Sequence, residues 1–201
     1  MSAPLASLWY KPWVFVGCLL PMAWLVAAAT GFAGWTLGVN PVRDLLHFSG
    51  KTALNLLLLT LCMTPLGRLT GRSEWLRLRR MLGLFAFTYA LLHFAIYTVL
   101  ELDLDLAEVG SEIVKRPYIT VGLLALVGML PLAATSTDRA MRRLGRRWQR
   151  LHRLIYPIAL LAVWHYYWQV KADLREPLLY AAALAILLGW RWQQHRNRTR
   201  I

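Results

Sequence analysis

Long apolar stretches alternate along this chain with short connections that are sharply basic or sharply acidic. A window of about 19 residues finds six runs apolar enough to cross a bilayer, at roughly 12–30, 49–66, 82–100, 118–134, 154–170 and 177–193. Prolines and polar turns punctuate them. Asn40-Pro41 marks a turn, Thr64-Pro65 and Pro131 sit near two ends, and Pro117 and Pro177 open two further spans, where a proline costs no hydrogen bond. No internal repeat or low-complexity segment is evident. The pattern predicts an all-α integral membrane protein, a six-transmembrane-helix bundle forming one domain over residues 1–201.

Charge adds a direction to this bundle. The segments 67–81, 135–153 and 191–201 together with Lys11 hold 17 of the 23 Lys and Arg residues and two acids, Glu74 and Asp138. The other connections hold six bases and eight acids. Basic loops stay inside, so both termini are expected to be cytoplasmic. The net charge of +13 is then a topology signal that also meets anionic lipid, and nucleic acid is not an expected partner. Trp9, Trp13, Trp35, Trp75, Trp148, Trp190 and Trp192 fall near span ends, as an interfacial belt requires. Ala27-Ala28-Ala29 resembles a leader cleavage site, but the apolar run is longer than a leader's and only Lys11 precedes it, so an uncleaved helix is expected. Cys18 and Cys62 lie in separate spans and are read as packing residues.

Against this apolar background two histidines stand out. His93 lies about eleven residues into the third span and His165 about eleven into the fifth, each roughly 16 Å from the inner edge. Both spans run outward, so the imidazoles share a depth slightly beyond the middle of the membrane. An imidazole in hydrocarbon is costly and marks a functional site. Zinc wants four ligands, or three and a water, and no carboxylate or thiolate lies at this level. Haem needs at most two protein ligands and offers an apolar ring to a bundle core, so it suits the pair better.

His152 lies thirteen residues before His165, about 19.5 Å lower on a straight helix and about 140° around it. It has two readings, a ligand of a second, inner cofactor and an interfacial cation beside lipid phosphate. Pro157 could kink the helix between them, and Arg79 and Arg80 stand where a lower partner on the third span is expected. Arg77, Arg79, Arg80, Arg146, Arg147 and Arg150 are topology determinants that could also hold a phosphate, with Trp148 beside them. His47 is read as interfacial and His195 as solvated. The acidic stretch between Glu101 and Glu112 is either a solvated loop or a docking surface.

The stretches HFSGKTALN from His47, RRMLG from Arg79, LLHFAIY around His93, KRPYITVG from Lys115, ATSTDRAMRRLGRRWQRLHRLIY and HYYW from His165 resemble the MsrQ (YedZ) family over about residues 40–180. These are haem-binding membrane subunits of the periplasmic protein-methionine-sulfoxide reductase system, with a ferric-reductase-like transmembrane domain. The resemblance implies b-type haem, one or possibly two, on His93, His152 and His165. It also implies bound flavin mononucleotide (FMN), electrons from the quinone pool, and delivery to a periplasmic molybdenum-containing catalytic subunit from a multi-pass protein of the bacterial inner membrane. Relatives with NADPH-oxidase-type domains carry two histidines on the third helix, whereas this chain has His93 alone. The expected function is outward electron transfer, as an electron-transfer subunit rather than the catalytic one. Its rivals are a proton-relay transporter or channel, which calls for inverted repeats and interrupted helices, and a non-redox membrane anchor.

Overall fold

The computed structural model describes residues 10–32 and 37–199, and every regular element among them is helical. Trp9 and Trp35 lie outside the described residues, as does the side chain of His195. Helix α1 covers Tyr10–Thr30, α2 Pro41–Leu69, and α3 Glu74–Ile96, which runs on as a π-helical turn over Tyr97–Glu101. A short helix α4, Leu106–Lys115, precedes α5, Pro117–Ala134. Then α6 (Asp138–Leu144), α7 (Arg146–Leu151) and a 3₁₀ turn at His152–Leu154 lead into α8, Ile155–Gln169, and α9 spans Arg175–Thr199.

Local chemistry sets several of these boundaries. Asn40 caps α2 by accepting from the Arg43 amide at 3.1 Å, with Pro41 at the first helical position. Asp105 caps α4 through the amides of Ala107 and Glu108. Gly145, at φ +50° and ψ −120°, makes the sharp elbow between α6 and α7 that a side chain would strain.

Several expectations need correction. Helix α2 begins eight residues before the expected 49 and passes through Pro65 to Leu69, because the proline sits where the helix is supported by its neighbours. His47 is thus in the second turn of α2. Likewise α5 continues past Pro131 to Ala134. The acidic stretch is no plain loop, since capped α4 occupies most of it. Between His152 and His165 the chain passes through the 3₁₀ turn at His152–Leu154 into α8, and Pro157 sits in the first turn of α8, where its missing N–H is harmless.

The core runs along the middle of the bundle, with Leu61, Ala86 and Ala159 fully buried and Tyr89, Leu57 and Leu184 nearly so. Helix α2 packs mainly on α3, and α5 on α8. The small Ala86 and Ala159 let backbones approach closely, as membrane helices favour. Tyr89 donates to the Cys18 carbonyl at 2.7 Å, tying α3 to α1. Outer faces are apolar as well: Trp13, Leu20, Val26, Leu124 and Ile186 are all exposed, the signature of helices that meet lipid. Among the described residues four helices, Tyr10–Thr30, Pro41–Leu69, Glu74–Glu101 and Pro117–Ala134, are long and apolar enough to cross a membrane. Helix α8, at 15 residues, reaches only about 22 Å, and α9 carries Arg191 within its length.

Candidate cofactor site

The α2–α3 pair and the α5–α8 pair each present one imidazole to the space between them, and the two rings lie 6.3 Å apart, centre to centre, at an interplanar angle of 76°. The two half-sites are built alike. His93 Nδ1 lies 3.0 Å from the Leu46 carbonyl on α2, and His165 Nδ1 lies 2.7 Å from the Tyr118 carbonyl on α5. A carbonyl can only accept, so Nδ1 carries the proton in both rings and Nε2 is left as the unprotonated nitrogen. The tautomer follows from the acceptor and is the one a metal-bound histidine usually adopts. Ser49 Oγ, 3.4 Å from His93 Nδ1, is otherwise engaged with the Leu45 carbonyl at 2.7 Å.

Both imidazoles rest against a glycine. A Cβ on Gly50 would meet His93 Nδ1 and Cε1 at 3.1 Å, and a Cβ on Gly122 would meet His165 Nδ1 at 2.7 Å and Cε1 at 2.8 Å. Each glycine stands four residues beyond the accepting carbonyl, so the ring lies over one helical turn. These glycines are absent from the sequence-derived site. Their signal is the constant spacing, since each precedes its histidine by 43 residues. The correspondence is geometric, between pairs of helices, and the apolar residues around it do not repeat.

Beside the pair, toward α4, runs a hydrogen-bonded chain. Tyr97, in the π turn one helical turn after His93, donates to Glu112 Oε2 at 3.3 Å; Arg116 Nε lies 2.6 Å from the same oxygen, and Arg116 donates to the Tyr118 hydroxyl at 3.3 Å. Tyr118 thus orients His165 with its carbonyl and anchors α4 through its hydroxyl. The π turn is a common mark of functional sites.

Away from the imidazole pair, toward α7, lies a separate cavity of about 530 Å³. His152, Arg79, Arg80 and Trp148 line it, whereas Arg77, Arg146, Arg147 and Arg150 do not. Arg68, Arg153, Arg191 and Thr64 line it too, and sequence reasoning did not single them out for it. His152 stacks on Trp148 with ring centres 3.8 Å apart, and its Nδ1 lies 3.1 Å from the Trp148 carbonyl. Its Nε2 is buried without a partner. Burial holds the His152 pKa below the usual histidine value, against carbonyls of Trp148 and Leu132 that favour the protonated ring. Trp148 is more than an interfacial residue, because its Nε1 donates to the Thr135 carbonyl at 2.9 Å. Arg80 pairs with Asp138 at the rim, and this ion pair with the hydrogen bond it contains pulls the Asp138 carboxyl below its ordinary range.

Paired imidazoles in a bundle of lipid-facing helices define a class of membrane protein, and comparison with known proteins agrees. Residues 49–163 match the sequence model of the family described as ferric reductase like transmembrane component. Curated relatives are narrower in name. A protein of Xanthomonas axonopodis pv. citri is 56% identical over 159 residues, covering 79% of this chain and 73% of its own length. One of Bordetella pertussis is 48% identical over 196 residues, covering 94% of this chain and 93% of its own length. Both are named protein-methionine-sulfoxide reductase heme-binding subunit MsrQ. The chain belongs to the ferric-reductase-like transmembrane family and, within it, to the MsrQ family, in agreement with the resemblance noted in its motifs. No solved structure matches it.

Proposed function

We propose that this protein is a haem b-containing electron-transfer subunit that carries electrons from the quinone pool across the bacterial inner membrane to a periplasmic, molybdenum-containing methionine-sulfoxide reductase catalytic subunit, for repair of oxidised proteins. The observation that carries the proposal is the imidazole pair. With metal–nitrogen bonds of about 2 Å and ring centres roughly 1.2 Å beyond each nitrogen, two imidazoles sharing one iron stand roughly 6–6.5 Å apart, and the two rings here are 6.3 Å apart. Among the described residues no cluster of three or more His, Cys, Asp or Glu could hold a bare metal ion, so a group that brings four nitrogens of its own fits the donors better.

His93 and His165 would be the axial ligands. Bound there, haem supplies a one-electron iron couple. Leu46 and Tyr118 hold the rings in one tautomer, Gly50 and Gly122 set their approach, and the surrounding apolar helices exclude water. His152 would serve an inner cofactor, a second haem or the edge of FMN, with Arg79, Arg80 and Trp148 near it; a quinone headgroup is the other candidate for that cavity. Helices α8 and α9 would complete six spans of a single transmembrane domain, with both termini cytoplasmic. The acidic face of α4 would meet the periplasmic partner. The proton-relay alternative has less support, because each deep imidazole commits its Nδ1 proton to a backbone carbonyl. A reduced-minus-oxidised absorption spectrum of protein purified after expression with ample haem tests the reading: b-type bands are expected, and their absence would refute it.

A further inference from the structure

Arg191 holds an unusual position for a residue of a basic terminal segment. Its NH2 donates to the Leu61 carbonyl on α2 at 3.0 Å, and its NH1 donates to the Tyr156 hydroxyl on α8, with the guanidinium carbon 4.9 Å from that ring's centre. The carbonyl is free for a specific reason. Leu61 stands four residues before Pro65, which has no N–H to return to it. The guanidinium, carried by α9, is therefore held partly buried between α2 and α8, against the fully buried Leu61. Both of those partners are neutral, and Arg191 Nε is buried with no partner at all.

The cavity beside it is charged in one sense only. Arg68, Arg79, Arg80, Arg153 and Arg191 line it, and among the described residues no carboxylate does; of these arginines Arg80 is tied to an acid, Asp138 outside the lining, and among the described residues no ion pair holds the others. Thr64 Oγ1 and His152 Nε2 are buried there without partners, like Arg191 Nε. Even a partly buried cation without a counter-ion is costly, and arginine does not escape by losing its proton. A merely structural arginine capping Leu61 needs none of these further cations around an open space.

We propose that Arg191 is a positioning residue that holds a fixed positive charge against the redox group of the inner cavity, favouring that group's reduced, more negative form. The inference rests on the inner-cofactor reading above. One electron enters the group and the Arg191 proton stays in place, so the charge is constant through the cycle. Were the group held roughly 6–9 Å from the guanidinium, then at an effective dielectric near 20 the attraction would amount to about a twenty- to hundredfold change in the reduced-to-oxidised ratio at fixed potential.

The test is a redox titration, followed optically, of full-length wild type, Arg191→Gln, Arg191→Lys and Tyr156→Phe, each carrying the cofactors it retains from expression. Arg191→Gln should shift the inner group at least tenfold toward its oxidised form while the outer haem moves less than threefold. Arg191→Lys should recover most of the shift, and Tyr156→Phe should fall between. An inner titration within twofold of wild type in Arg191→Gln overturns the inference, as does an equal shift of both groups or a lysine variant no better than glutamine. Should Arg191→Gln not fold, Tyr156→Phe at wild-type potential overturns it. A wild type with the outer haem alone refutes the inner-cofactor reading and the inference together, and so is distinct from a failure of Arg191 only.

Discussion

Gly122→Ala would set a methyl carbon 2.7 Å from His165 Nδ1 and 2.8 Å from Cε1. Ordinary van der Waals separation is about 3.5 Å, so the imidazole must withdraw by about 0.8 Å. Its bond to the Tyr118 carbonyl, now 2.7 Å, would lengthen toward about 3.5 Å and cease to count as a hydrogen bond. Losing that bond costs about 1 kcal/mol, and disturbing a partner of a metal-bound histidine typically lowers affinity about 10–100-fold. Gly50→Ala is milder by the same reasoning, since its methyl carbon would meet His93 at 3.1 Å and requires a shift of only about 0.4 Å; a loss below tenfold is expected. Gly17→Ala is the control, with nothing within 4 Å of the added carbon. Reconstitution of apo-protein with haem, followed by Soret absorption, measures all three, and electron paramagnetic resonance reads the axial geometry. Wild-type haem affinity in Gly122→Ala, or a greater loss in Gly50→Ala than in Gly122→Ala, would refute the account of the glycine shelves.

His93→Ala and His165→Ala should each abolish the bands of the haem proposed to lie between them, and full haem retention in either would break the pairing. Tyr89→Phe, by removing the bond to the Cys18 carbonyl, should lower unfolding stability by about 0.5–1.5 kcal/mol with haem content unchanged, as measured by denaturant titration in detergent. Asp138→Asn tests the rim. The folded carboxyl has its pKa depressed by Arg80, so its contribution is full above the unfolded value of about 3.8 and is lost as pH falls through the lower folded value. The variant should therefore melt below wild type at neutral pH and converge with it in strong acid; a constant gap would exclude the ion pair as the cause.

Sequence and structure divide the site in an instructive way. The depth of His93 and His165 is legible from the chain, because the rise of a helix is constant and apolar runs show where each begins. The placement of His152 is not, since a 3₁₀ turn separates it from α8 and a straight-helix angle no longer applies. Arg79, Arg80 and Trp148 are legible as neighbours of the inner cavity from their basic, interfacial position. Arg77, Arg146 and Arg147 share that signal yet stand off the cavity, because composition reports which side of the membrane a residue occupies and not which way its helix is turned.

By itself, the sequence determined a helical membrane protein, its family, and two deep imidazoles at one level. Those features are local, written in hydrophobic runs, helical rise and contiguous motifs. Only the tertiary structure decided that the imidazoles stand 6.3 Å apart, that glycines on the facing helices receive them, and that Arg191 reaches Leu61 across 130 positions of chain. Each of these depends on how helices far apart in sequence rotate and pack against one another, and a single-strand pattern of apolar and polar residues leaves that rotation undetermined wherever, as here, the outer faces are apolar too.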